Sequence, residues 1–260
     1  MLVEKLSISV IKQLIKDGEV KEEQIEQLKK DERKGVQKIM KSYEKQIQKE
    51  RELEKNYLEM CVYENKAYNR GAKFVAGIDE AGRGPLAGPV VACAVILPPD
   101  FRLIGLNDSK QLNERVREKF YTIIKERALS YGIGIVDSKT IDEINIFEAT
   151  KLAMRQAVMQ LKPQPDHLLI DAVELTSLPC TSESIIKGDA KSISIAAASV
   201  LAKVTRDHIM REIHNEYPAF DFASNMGYGT KHHMDTLLES GATPYHRKSF
   251  APVRNVIEKV

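Results

Sequence analysis

The chain has 260 residues with 39 Lys or Arg against 37 Asp or Glu, a formal net charge of +2, so no strong global field announces a polyanionic partner and nucleic-acid contact has to come from local patches. This length accommodates one full domain and a small appendage. No apolar run reaches the roughly 18 to 20 residues of a membrane span, no secretory signal pattern opens the chain, and Cys61, Cys93 and Cys180 suit neither a disulfide framework nor a zinc site, so a cytoplasmic protein with reduced thiols is expected.

Residues 1–70 carry 16 basic and 14 acidic residues, while the other 190 carry 23 of each sign. Ile8, Ile11, Leu14 and Ile15 mark one helical face ending at Asp17-Gly18, and Ile25 with Leu28 marks a second short helix. A third, longer helix runs from Val36 to Cys61 with apolar residues three and four apart. The expected organisation is a helical extension over 1–70 and a second domain over 71–260. The extension reads as an amphipathic bundle packed on itself or on the main domain. The basic stretch Lys29, Lys30, Arg33, Lys34, Lys38, Lys41 and Lys45 offers another reading, a substrate clamp along phosphates with salt-dependent affinity. A third reading is a docking module for a partner protein.

Beyond residue 70 the pattern alternates between strand and helix. Residues 73–78 and 90–97 are short β-branched runs, so the glycine-rich stretch between them joins strand to strand. Its spacing, Gly82-x-Gly84-x-x-x-Gly88 followed by Pro89, fits neither nucleotide fingerprint, because those loops lead from a strand into a helix that holds phosphate. Asn113 is expected to cap a helix over 114–130, followed by a strand at 131–136 and a helix from Thr140 to Leu161 ended by Pro163 and Pro165. Strands are predicted at 167–171 and 184–187, a long Ala-rich helix at 192–216, and later helices capped by Thr230 and Ser249. The short first loop makes its two strands antiparallel neighbours and the helical crossovers serve the others, so the fold is α/β with a mixed sheet.

Asp79 and Glu80 close the first strand, Asp171 closes another, and Asp189 directly precedes the Ala-rich helix. Taken singly, each fits a turn or a cap, Asp189 as the cap of the helix after it. Side-chain alternation also sends Asp79 and Glu80 to opposite faces unless the strand twists or ends there. As a set they sit where several strands leave the core, and four converging carboxylates without counterions cost on the order of several kcal/mol. Hard cations such as Mg²⁺ or Mn²⁺ would remove that penalty, and two ions roughly 4 Å apart would serve phosphodiester hydrolysis. His208 with His214, and His232 with His233, lack zinc spacing, and no serine elbow or Cys-His pair stands out, so direct attack by water is expected.

The segments Gly77-Ile78-Asp79-Glu80-Ala81-Gly82-Arg83-Gly84-Pro85, Asn107-Asp108-Ser109-Lys110-Gln111-Leu112, Ile141-Asp142-Glu143-Ile144-Asn145-Ile146, Lys187-Gly188-Asp189, Gly227-Tyr228-Gly229-Thr230-Lys231-His232-His233 and His246-Arg247-Lys248-Ser249-Phe250 follow one another in order. Together they resemble ribonuclease HII, the type 2 ribonuclease H family, in a bacterial form with an N-terminal helical extension; the motifs themselves cover about residues 71–260. Arg83, where a sister type carries Lys, favours this assignment. The resemblance implies a ribonuclease H-like fold, a five-stranded mixed sheet flanked by helices, with Asp79, Glu80, Asp171 and Asp189 as catalytic ligands of two Mg²⁺ or Mn²⁺ ions. It implies that Gly82, Arg83 and Gly84 reach the ribose 2′-OH and an adjacent phosphate, and that Tyr228 bonds the ribose hydroxyl and stacks on the next sugar. Lys110 reads as a phosphate contact or as a solvated loop residue. The implied activity is endonucleolytic, on RNA in RNA/DNA hybrids and 5′ of single ribonucleotides embedded in duplex DNA, leaving 3′-hydroxyl and 5′-phosphate ends; a monomer is expected. The alternative is a non-catalytic hybrid-binding protein that keeps the fold.

Overall fold

The computed structural model describes residues 6–176, 178 and 180–258. The chain forms two compact units, Met1–Asn56 and Tyr57–Val260. In the smaller, α1 (Ile8–Asp17) starts at Ser7, whose hydroxyl accepts from Val10 N, and stops at Gly18 with φ 70°. It is followed by α2 (Glu22–Lys29) and α3 (Lys34–Met60). Ile11, Ile25, Leu28, Val36 and Met40 form the unit's own core.

The division falls inside α3, because Tyr57 and Met60 join a cluster with Phe101 and Leu103 of the larger unit. The next helix, α4 (Val62–Asn69), buries Ala67 against Val75, Leu169 and Ile195. The change of composition near residue 70 thus marks the end of a charged surface, whereas packing changes partner earlier.

The larger unit is built on β1 (Val75–Ala81), β2 (Val90–Ile96), β3 (Ser130–Val136), β4 (His167–Asp171) and β5 (Thr181–Ile185) in the order β3-β2-β1-β4-β5. β2 pairs antiparallel with both β1 and β3, and β4 pairs parallel with β1 and β5, so the sheet is mixed as the loop lengths required. α5 (Glu114–Arg127) follows β2, and α6 (Ser138–Met159) follows β3. α7 (Ile193–Glu216), α8 (Phe222–Asn225), α9 (Lys231–Ser240) and α10 (Ala251–Ile257) follow β5. β2 is buried on both faces, which is why it reads as an unbroken apolar run. Val91, Cys93 and Val95 pack on α7 and α5, while Val90, Ala92, Ala94 and Ile96 pack on α6.

Local chemistry moves several boundaries. α6 begins at Ser138 and not at Thr140, because the Asp137 carboxylate accepts from Thr140 N at 2.8 Å and serves as the cap. β5 begins at Thr181; its polar, largely exposed edge residues carry no apolar signal. Thr230 caps α9 as expected, but Ser249 caps nothing: its hydroxyl donates to Asp142 at 2.6 Å, and Phe250 stands at the cap of α10.

Candidate active site

The register of β1 on β4 pairs Ile78 with Ile170, and the next residue on each strand is an aspartate. Asp79 and Asp171 therefore emerge side by side at the carboxyl edge of two parallel strands, the usual rim for ligands in such sheets. Asp189 arrives from β5 through Lys187, at φ 56°, and a short 3₁₀ turn. Gly188 N donates to Asp171 Oδ1 at 2.6 Å and ties that turn to the end of β4. One carboxylate oxygen each of Asp79, Asp171 and Asp189 lies within 4.8 Å of the others. Asp189 is not the cap of α7: the Ser192 hydroxyl accepts from Ile195 N and takes that role, leaving the Asp189 carboxylate for the cluster.

Glu80 is placed differently. β1 stays paired through Ala81, with Glu80 opposite Ala92, and the Glu80 carboxylate remains near enough to act on Asp79 and to be acted on by Asp171 and Lys110. It falls outside the three-carboxylate group. Its Oε1 lies 3.5 Å from Arg83, and its buried Oε2 finds no hydrogen-bond donor among the described residues.

Burial, then Glu80 and then Asp171, pushes the Asp79 carboxyl well above its ordinary range. Burial also raises Glu80, with Arg83 opposing and Asp171 adding. Asp189 is raised by burial, then by Asp108 and Asp171. Burial of the Lys110 ammonium, 3.8 Å from Asp189, is outweighed by Asp108, Asp189, Asp79 and Asp171, so its pKa rises. Oxygen donors crowded this closely, reluctant to ionise together and including one buried orphan oxygen, fit a hard divalent cation.

Directly after β1 the chain turns at Gly82, φ 97°, where a Cβ would stand 2.1 Å from Arg206 Nε. Arg83 and Gly84 are exposed. The Tyr228 ring reaches within 3.6 Å of the position a Cβ on Gly84 would take, and Tyr228 itself is half exposed. The 82–84 turn and Tyr228 thus meet, and the Arg83–Glu80 contact joins them to the carboxylate rim. Sequence reasoning had no role for Asp108, which faces Asp189, nor for Arg206 and Arg247 beneath the turn or His246 behind His233. Asp108, His246 and Arg247 lie in the quoted motif runs and Arg206 in α7, but nothing in a linear pattern reveals which of these residues turn inward.

The family model for ribonuclease HII matches residues 76–253, and that for the ribonuclease HII N-terminal domain matches residues 7–68. The chain belongs to the ribonuclease HII family. Ribonuclease HII of Oceanobacillus iheyensis is 56% identical over 247 residues, 95% of each chain. Ribonuclease HII of Listeria innocua is 55% identical over 224 residues, 86% of this chain and 85% of that one. Among solved structures, ribonuclease H2 from Pyrococcus horikoshii OT3 superposes with a TM-score of 0.64 at 29% identity, covering 72% of this chain and 98% of that one. The N-terminal match carries the ribonuclease HII assignment into the helical extension, which the sequence motifs did not reach. Membership makes this chain a metal-dependent endoribonuclease with ribonuclease H activity.

Proposed function

We propose that this ribonuclease HII hydrolyses the RNA strand of RNA/DNA hybrids and nicks duplex DNA on the 5′ side of single embedded ribonucleotides, leaving 3′-hydroxyl and 5′-phosphate ends. The observation that carries the reading is the meeting of Asp79, Asp171 and Asp189 within 4.8 Å beside the 82–84 turn and Tyr228. In this reading Asp79, Glu80, Asp171 and Asp189 hold two Mg²⁺ or Mn²⁺ ions, with Glu80 contributing its orphan oxygen. Bound there, such ions supply charge that activates an attacking water and stabilises the departing oxygen. Arg83 and Lys110 hold phosphates flanking the scissile bond. The peptide N–H groups of the 82–84 turn and the Tyr228 hydroxyl recognise the ribose 2′-OH, which distinguishes RNA from DNA.

The extension belongs to this reading as a clamp. Lys29 is paired with Glu26 and Arg33 with Asp31, whereas Lys34, Lys38, Lys41 and Lys45 are exposed along α3 at helical spacing. Those four supply the sequence-independent phosphate contacts. The protein acts as a cytoplasmic monomer; among the described residues no helix is long and apolar enough to cross a membrane.

The test is a labelled DNA duplex with one ribonucleotide, incubated with Mg²⁺, Mn²⁺ or EDTA, and the cut mapped to the nucleotide. A metal-dependent nick immediately 5′ of the ribonucleotide is expected. Cleavage of long hybrids alone would keep the metal reading but overturn the reading of the single-ribonucleotide junction by Arg83 and Tyr228, and no cleavage with either ion would leave a non-catalytic hybrid-binding protein.

A further inference from the structure

Residues 245–247 run antiparallel to 86–88: Gly88 N donates to Tyr245 O and Arg247 N to Leu86 O, both at 2.8 Å, with Ala87 opposite His246. In an extended ribbon consecutive side chains leave in opposite directions. Arg247 is fully buried and turns under the glycine-rich turn. Its Nε donates to Gly88 O at 3.0 Å, Nη1 to Arg83 O and Pro85 O at 2.9 and 2.8 Å, and Nη2 to Gly82 O and Gly88 O at 2.6 and 2.9 Å. The guanidinium's donors are thus all spent on backbone carbonyls. A trans peptide sets each N–H opposite its preceding carbonyl, so drawing the Gly82 and Arg83 carbonyls inward turns the Arg83 and Gly84 N–H groups outward. Among the described residues neither N–H has a protein acceptor.

His246 works in the other direction. Thr243 N donates to its Nδ1 at 3.0 Å, so the ring proton sits on Nε2, which lies 2.9 Å from His233 Nε2. His233 must then accept there and carry its own proton on Nδ1, from which it donates to Tyr228 O at 2.8 Å. The sense of the chain is set by a backbone donor at one end and a carbonyl at the other. Both rings are buried against Phe220 and Phe222, which keeps them neutral. Tyr228 lies between Gly227 and Gly229, so its carbonyl is the place to fix it; Thr230 N also donates to it.

We infer that His246 and Arg247 are positioning residues that set one half of the ribose reader against the other: Arg247 orients the N–H groups of the 82–84 turn, and His246, through His233, holds the backbone of Tyr228. Two neighbours on one bridged ribbon make that spacing rigid. The inference rests on the assignment of Gly82, Arg83, Gly84 and Tyr228 to ribose contact.

The test compares His233→Asn with His233→Leu in the full chain. The Asn amide keeps a donor near the position of Nδ1, whereas Leu fills the aromatic cavity but donates nothing. Affinity is measured with Ca²⁺ in place of Mg²⁺ for a duplex containing one ribonucleotide and for the same duplex in all-DNA form. The expected result is about a tenfold loss of ribose preference in His233→Leu, largely restored in His233→Asn, with all-DNA binding unchanged in both. Arg247→Lys, with three donors in place of five, should lose ribose preference as well. Leu doing as well as Asn, or both duplexes losing affinity together, would mean packing alone and overturns the proposal. A wild-type protein without ribose preference would instead overturn the ribose-reading assignment itself, before any substitution is compared.

Discussion

Asp79→Asn probes the carboxylate cluster without disturbing its shape. At 4.8 Å and an effective dielectric of about 20, two ionised carboxylates repel by about 3.5 kcal/mol. Asp79 faces both Asp171 and Asp189 within that distance, so full ionisation costs about 7 kcal/mol at this one side chain. Proton uptake limits the cost, because burial and neighbouring acids raise the Asp79, Glu80 and Asp189 pKa values. Raised carboxyl pKa values contribute stability that is complete below the ordinary 3.8 and 4.5 and is lost as pH rises through the folded values. In EDTA, Asp79→Asn should therefore be more stable than wild type at pH 8 by about 1–3 kcal/mol, about 3–10 °C in Tm, and this gap should shrink toward pH 4. With Mg²⁺ the order should reverse, since wild type gains a bound ion that the variant holds poorly, and turnover should fall about 10³-fold. Thermal melts from pH 4.5 to 8, with EDTA and with Mg²⁺, read all three effects. A variant that melts no higher than wild type in EDTA, or a gap that does not widen with pH, would refute the electrostatic reasoning, and full activity with Mg²⁺ would refute the metal role.

His246 provides a pH effect of opposite sign. Burial, then His233, depresses its pKa from 6.5 to about 4, so its stabilisation is complete above pH 6.5 and is lost as pH falls through 4, amounting to about 3 kcal/mol. Urea unfolding at pH 7 and pH 5 should show His246→Phe less acid-sensitive than wild type; parallel losses would mean that the ring is not held neutral. Gly77→Ala should destabilise by about 3 kcal/mol in chemical denaturation, because its Cβ would fall 2.0 Å from the Ser194 carbonyl carbon and 2.3 Å from Ile195 N, neither of which can yield; a loss under about 1 kcal/mol would show that α7 shifts freely. Tyr228→Ala should change stability by no more than about 0.5 kcal/mol, given its half-exposed ring, yet reduce kcat/KM on the single-ribonucleotide duplex more than on a uniform hybrid. Equal losses on the two substrates would count against its place at the ribose.

Much of this molecule was written locally. Period and breakers placed four of the five strands closely and overlapped only the end of polar β5, because buried strands such as β2 need unbroken β-branched runs and the 82–89 turn needs glycine, and the short turn dictated the antiparallel pairing of β1 with β2. Ordered motifs carried the family, and with it the expectation of a carboxylate site and of ribose contact at residues 82–84 and Tyr228. Tertiary structure decided what linear order does not encode. That Asp79 joins Asp171 follows from the parallel register of strands far apart in sequence, and that Asp189 is free of the helix cap follows from Ser192 taking it. The supports of the reader were illegible for the same reason. Arg247 and His246 look like surface residues by type, and only their pairing with residues 86–88 buries one beneath the glycine turn and the other beside Tyr228, where hydrogen bonds from the guanidinium to backbone carbonyls, and from ring to ring and on to a carbonyl, compensate their desolvation.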